Sequence, residues 1–224
     1  TGIRTILPAV SPNPGSPVID GNYVAWDNAD KINLHNLSTG ITTVIGNDPY
    51  TLAPKISGNN IVWLEGRAQD SLIRMMYYNI STGASEQLLN YADLQGAQIS
   101  GNDIVWTQRM NSLNANSDEI FHLSLLTRAV TRLTNDSTPD RFPQVSAGNV
   151  VWQTYDTEST AEIFRRNLQT GVTERLTNNA TADREPQISG DNVVWQGAPD
   201  NIYYRNLATG VTTQLTHSTG YPEE

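Results

Sequence analysis

The chain has 224 residues, 38% hydrophobic and 17% charged, so it is long enough to bury a core and too apolar for a disordered segment. Its formal net charge of −9, from 14 Lys+Arg against 23 Asp+Glu, opposes binding to nucleic acid and to anionic membrane surfaces. Without cysteine there are no disulfides, no thiol catalysis and no cysteine-ligated metal, and no apolar run reaches the ~18 residues of a membrane span.

From the N-terminus, residues 1–10 read as a strand. Thr1-Gly2-Ile3-Arg4-Thr5-Ile6-Leu7 repeats the turn and alternation of Thr209-Gly210-Val211-Thr212-Thr213-Gln214-Leu215 near the other end. The chain opens without an initiator Met or a basic-then-apolar leader, so a mature form or a domain of something longer is expected. Five repeats follow, over about 17–53, 54–96, 97–142, 143–185 and 186–224. The tryptophans mark them: Trp26, Trp63, Trp106, Trp152 and Trp195 are spaced 37, 43, 46 and 43 residues apart. Each closes a similar phrase, IDGNYVAW (19–26), ISGNNIVW (56–63), ISGNDIVW (99–106), VSAGNVVW (145–152) and ISGDNVVW (188–195). A second phrase follows as NLSTG (36–40), NISTG (79–83), NLQTG (167–171) and NLATG (206–210), with a degenerate third copy, SLLTR (124–128). A third phrase closes the unit: TRLTN (131–135), ERLTN (174–178) and TQLTH (213–217).

Each repeat holds four short strands. In the last they are Pro186 to Ser189, Val193 to Trp195, Ile202 to Leu207 and Val211 to Thr216, separated by Gly-Asp-Asn and Thr-Gly turn chemistry. A four-strand repeat of about 40–45 residues selects a β-propeller of antiparallel blades, all-β, in a single domain over 1–224. The Trp, Ile and Val positions are then packing between adjacent blades. The extra N-terminal strand leaves six fourth-strand segments against five Trp strands. Five blades are favoured, because the material for a sixth is absent and closure hides sheet edges; part of a six-bladed or tandem ring is the alternative.

Together these phrases, P-x-I-S-G-x-x-I-V-W, I-Y-x-x-N-L-x-T-G and x-x-L-T-x-N, resemble the β-propeller repeats of archaeal cell-surface proteins of the Methanosarcina type. Those in turn are similar to TolB-type, WD-repeat-like units. The resemblance runs through all five copies. It implies an extracellular, cell-surface or surface-layer protein, often one module of a larger chain. The familiar repeat carries an acidic residue just after the Trp; Asp27 and Glu65 roughly fit, whereas Thr107, Gln153 and Gln196 replace it.

Three sets of residues are candidates for binding. Val18, Lys55, Gln98, Gln144 and Gln187 share the second position of the first strand, the strand that lines a propeller channel, where amides offer donors and acceptors together. Asp140-Arg141-Phe142 and Asp183-Arg184-Glu185 fall in the loop before the first strand, on one rim, and an Arg beside an aromatic suits contact with protein or glycan. Asn114, Asn116, Asp118 and Glu119 alternate oxygen-bearing residues as calcium loops do, without the turn Gly and distal Glu of an EF-hand; no cofactor other than calcium is suggested by the sequence. No G-x-S-x-G elbow, P-loop or H-E-x-x-H occurs, and His35, His122 and His217 fall at strand ends that do not converge. Sequons at Asn36, Asn79, Asn135 and Asn179 permit glycosylation but equally suit turns. The expected function is a non-catalytic surface module contacting protein or glycan. A multivalent lectin-like sugar binder is the runner-up, and a glycosidase at the channel mouth the third reading.

Overall fold

The computed structural model describes residues 15, 17–28, 30–48, 51–66, 72–111, 113–114, 116–155 and 160–217. They form five four-stranded antiparallel sheets, the blades of a β-propeller, each with its strands in chain order. The expected strand over 1–10 lies outside the described residues. The chain divides into two compact units, Thr1–Ala92 and Asp93–Glu224.

The N-terminal unit holds two blades. The first comprises β1 (Val18–Asp20), β2 (Tyr23–Asn28), β3 (Lys31–Asn36) and β4 (Ile41–Asn47); the second comprises β5 (Thr51–Ser57), β6 (Asn60–Gly66), β7 (Ile73–Asn79) and β8 (Ala84–Tyr91). The C-terminal unit holds three. The third blade is β9 (Leu94–Ser100), β10 (Asp103–Arg109), β11 (Asp118–Ser124) and β12 (Val130–Arg132); the fourth is β13 (Asp140–Ser146), β14 (Asn149–Tyr155), β15 (Ala161–Asn167) and β16 (Thr173–Arg175). The fifth is β17 (Asp183–Ser189), β18 (Asn192–Gly197), β19 (Asn201–Asn206) and β20 (Thr212–Gln214).

The tryptophans stitch blade to blade. Trp152 of the fourth blade packs with Val105, Ile120 and Leu133 of the third, and Trp195 of the fifth with Val151, Ile163 and Leu176 of the fourth. In the N-terminal unit Trp63 packs in the same way with Ala25, Ile32 and Leu34. Three of the rings stack on the aromatic opposite them in the next strand: Trp106 on Phe121, Trp152 on Phe164 and Trp195 on Tyr203, at 5.7, 6.0 and 5.9 Å. Trp26 is only half-buried.

The repeated phrases have local causes. In NLSTG and its copies the Asn side chain caps the turn: Oδ1 of Asn36 accepts from the amides of Ser38 and Thr39, and Oδ1 of Asn167 from those of Gln169 and Thr170. The closing Gly takes φ near +70°, and in the degenerate third copy Arg128 is forced to +62° in its place. The fourth strands of the C-terminal unit are shorter than the sequence pattern predicts, because a threonine hydroxyl takes over from the backbone. The amides of Ile120, Ile163 and Ile202 donate to Oγ1 of Thr134, Thr177 and Thr216 at 2.8–2.9 Å.

The indole nitrogens set up a comparison. Trp152 Nε1 donates to Asp140 Oδ1 and Thr154 Oγ1, both at 3.1 Å, whereas buried Trp106 Nε1 finds no partner among the described residues because Leu94 stands where Asp140 does. Trp152→Phe should therefore cost about 1–3 kcal/mol more in denaturant unfolding than Trp106→Phe, since only the former strands buried acceptors. Equal losses would show that these bonds carry no net stability.

Candidate functional site

Four first strands begin about three residues earlier than the sequence pattern places them, at Thr51, Leu94, Asp140 and Asp183. The reason is a bulge. Register slips between Leu52 and Lys55, Gln95 and Gln98, Arg141 and Gln144, and Arg184 and Gln187. At the slip Ala53, Gly96, Phe142 and Glu185 all have φ of 51–62°. The segments Asp140-Arg141-Phe142 and Asp183-Arg184-Glu185, expected as rim loops, are therefore the bulged starts of β13 and β17.

The bulge splits those residues by role. Asp140, 1% exposed, and Asp183 are buried rather than solvated. Each accepts from the indole of its own blade, Trp152 Nε1 for Asp140 and Trp195 Nε1 for Asp183, the latter at 3.0 Å. Burial pushes the Asp140 carboxyl up to about 7, and the charges of Asp136 and Glu119 add to the rise; hydrogen bonds with Thr154 and Thr134 oppose it. Burial raises Asp183 as well, opposed by Asn179, Thr177 and Trp195. Behind each lies a second buried acid. Glu119 accepts from Thr134 Oγ1 and pairs with Arg132 at 2.8 Å; Glu162 accepts from Thr177 Oγ1 and pairs with Arg175 at 3.1 Å. The Arg-Leu-Thr of the closing phrase is thus half of a latch, and Glu119 or Glu162 the other half.

Arg141 and Phe142 face a cleft of about 330 Å³ with Gln95, Gly96, Thr107, Arg109 and Pro143. Two arginines share one carboxylate there. Arg109 Nε donates to Asp118 Oδ1 at 2.9 Å and Arg141 Nε to Asp118 Oδ2 at 2.6 Å, with Asp118 0% exposed. The Arg141 guanidinium also lies 5.5 Å from the centre of the Tyr155 ring. The hydrogen bond to Asp118, then its charge, raises Arg109 further, so its cation is permanent. Phe142 stands 50% exposed with φ +55°, a left-handed conformation that costs a bulky residue about 1–2 kcal/mol.

Thr107 keeps this cleft open. At the next junction the residue after the tryptophan is Gln153, whose Oε1 accepts from the backbone amide of the bulge residue Glu185 at 3.0 Å. Thr107 holds the same place after Trp106 and is shorter. Arg184 lines a separate cleft of about 340 Å³ with Gln196, Gly197 and Asp200, so the two expected rims serve different hollows. Arg109, Thr107 and Tyr155 were not among the expected residues.

The remaining candidates are placed as follows. Val18, Lys55, Gln98, Gln144 and Gln187 share one register position, opposite the residue before each tryptophan. Val18 packs on the hydrophobic core of its unit, while Gln98, Gln144 and Gln187 sit on the three first strands of theirs, β13 lying against both β9 and β17. Of the expected calcium loop, Asp118 and Glu119 lie in β11. They are adjacent strand residues that point to opposite faces, Asp118 held by Arg109 and Arg141 and Glu119 by Arg132, and Asn114 Oδ1 accepts from the amide of Asn116. Among the described residues no group of three His, Cys, Asp or Glu could hold a metal ion. His35 Nδ1 lies 2.8 Å from Thr42 Oγ1, and His122 Nε2 2.8 Å from Asp103.

The sequence matches no protein-family model and no curated protein. In structure the chain is similar to the TolB of Acinetobacter baumannii at 19% identity and TM-score 0.58, over 83% of this chain and 48% of that one. It is similar to a putative TolB of Agrobacterium tumefaciens at 15% identity and TM-score 0.66, over 91% and 80%. It is also similar to an oligogalacturonate lyase in complex with manganese at 12% and 0.68, over 87% and 61%. The chain thus spans about half the length of the first of these. What the three share with it is the fold, a propeller of the TolB-like kind.

Proposed function

We propose that this chain is a non-catalytic binding module of an extracellular, cell-surface protein, and that it contacts a protein or glycan partner at the cleft of Arg109, Arg141 and Phe142. The observation that carries this reading is Phe142: a large aromatic ring held half-exposed on a strained backbone beside two fixed guanidinium groups. The bulge sets that backbone in four blades, and of its four residues Ala53, Gly96, Phe142 and Glu185 only Phe142 carries an aromatic ring, set in the cleft beside the arginines. The placement at the surface is drawn from the repeat phrases. A binding rather than catalytic role is supported by the buried acids of the C-terminal unit and by His122. Asp118, Glu119, Asp140, Glu162 and Asp183 are spent on arginines, threonines and indoles of the fold, and His122 on Asp103.

Phe142→Gly tests it. Glycine relieves the left-handed strain, by about 1 kcal/mol, and so offsets the loss of a ring that is only half-buried. The thermal midpoint should stay within a few degrees, while retention on arrays of glycans and envelope proteins should fall at least about tenfold. Undiminished retention of every ligand bound by the wild type would remove the cleft from the function.

A further inference from the structure

We propose that this cleft is a subsite for an acidic sugar of the uronate class, one per chain, with Arg109 taking the carboxylate; this rests on the reading of the cleft as the binding site. Both charged side chains in its lining are arginines. Their counter-ion, Asp118, is buried behind them and accepts from the Nε edge of each, which fixes the two guanidinium groups before any ligand arrives. Arg109 directs both of its side-chain bonds to Asp118, through Nε and Nη2, and its Nη1 has no partner among the described residues. Asp93 lies near enough to favour the charged guanidinium but outside the cleft lining. One charge-assisted donor fits a monoanion such as a carboxylate better than a phosphate dianion.

The rest of the lining fits a sugar ring. Phe142 and Pro143 give an apolar wall, Gln95 an amide that both donates and accepts, and Thr107 a hydroxyl. A volume of about 330 Å³ admits one ring with its substituents or two at most. A peptide adding as a strand to the free side of β13 would meet Pro143, which has no N–H, and the bulge at Phe142, which breaks the ladder. Gln153 reaches the next bulge where Thr107 stops short, so the open site is not repeated at the next junction.

The test is an amide-resolved NMR titration of the intact chain. The ligands are glucuronate, galacturonate and a galacturonate oligomer, set against glucose, galactose and an acetylated Asp-containing peptide. Uronates should shift the amides of Gln95, Gly96 and Phe142, with neutral hexoses at least about tenfold weaker. A steeper response to the oligomer would identify a polysaccharide as the source, and equal responses the free sugar acid. Arg109→Gln should abolish the shifts. Thr107→Gln should do so too, by filling the cleft as Gln153 fills its neighbour, and it leaves both arginines in place if Arg109→Gln fails to fold. Equal binding of neutral and acidic sugars would overturn the carboxylate assignment. Peptide shifts at these amides without uronate shifts would overturn the sugar and keep the cleft as a binding site. If no probe moves these amides the uronate assignment falls, and the Phe142→Gly comparison then decides whether the cleft falls with it.

Discussion

Replacing Asp140 by Asn should raise the stability of the chain at pH 8 and flatten its dependence on pH between 5 and 8. The carboxyl titrates near 3.8 in an unfolded chain and at about 7 in the folded one, where burial, Asp136 and Glu119 all disfavour the charge. Across that interval the folded state binds the proton more tightly. The stability that Asp140 contributes is therefore complete below about pH 4 and is lost as pH rises through 7, by about 4 kcal/mol in all. Asparagine has no charge to bury. Its Oδ1 can still accept from Trp152 and Thr154. Asp183→Asn should act in the same direction, since burial raises that carboxyl too. Denaturant unfolding of wild type and both variants at pH 5 and pH 8 reads the effect. A wild type and Asp140→Asn variant with parallel pH dependences would mean that Asp140 does not ionise over this range.

The blades were legible because their signals are carried by side chains that do the same job each time. A tryptophan that must sink into the preceding blade, and an asparagine that must cap a turn, cannot be replaced without loss, so their spacing reads directly as strands. The bulge was not legible. It demands a left-handed backbone but no particular side chain, and Ala53, Gly96, Phe142 and Glu185 share nothing else. Three of the four precede a proline, which reads as a loop, and so Asp140 and Asp183 were expected on a solvated rim. Their burial depends on an indole twelve residues further on, a contact that only the strand register brings about. Two traces of the site do stand in the sequence. The residue after the tryptophan is Thr in the third repeat and Gln in the next two, which marks the open cleft. Glu-Ile-Phe accompanies Arg-Leu-Thr in the third and fourth repeats, while the fifth changes both, to Asn-Ile-Tyr and Gln-Leu-Thr. That joint change is the trace of the latch.

The latch itself should be expensive to break. Glu162 is fully buried, and Glu162→Ala would leave Arg175 Nη2, the Asn179 amide and the Thr177 hydroxyl without their acceptor. The Arg175 side chain is 34% exposed and can turn to water, so the loss is that of two donors left unpaired, about 2–4 kcal/mol in denaturant unfolding. Glu162→Gln keeps an oxygen for Thr177 or Asn179 and should cost about 1–2 kcal/mol. It should also lower the Asp183 carboxyl, because the Glu162 charge is one of the causes that raise it. The fifth blade supplies a neutral form of the same device, in which Thr216 Oγ1 donates to Asn201 Oδ1 at 3.4 Å and Gln214 Nε2 to the Thr216 carbonyl at 2.8 Å. The double change Glu162→Asn with Arg175→Gln copies it into the fourth blade. It should be less destabilising than the sum of the two single changes, with a coupling of at least about 1 kcal/mol, because each single change strands a charge that the pair removes together. Strict additivity would show that Glu162 and Arg175 act separately, and that the joint change between the fourth and fifth repeats is not the signature of a paired latch.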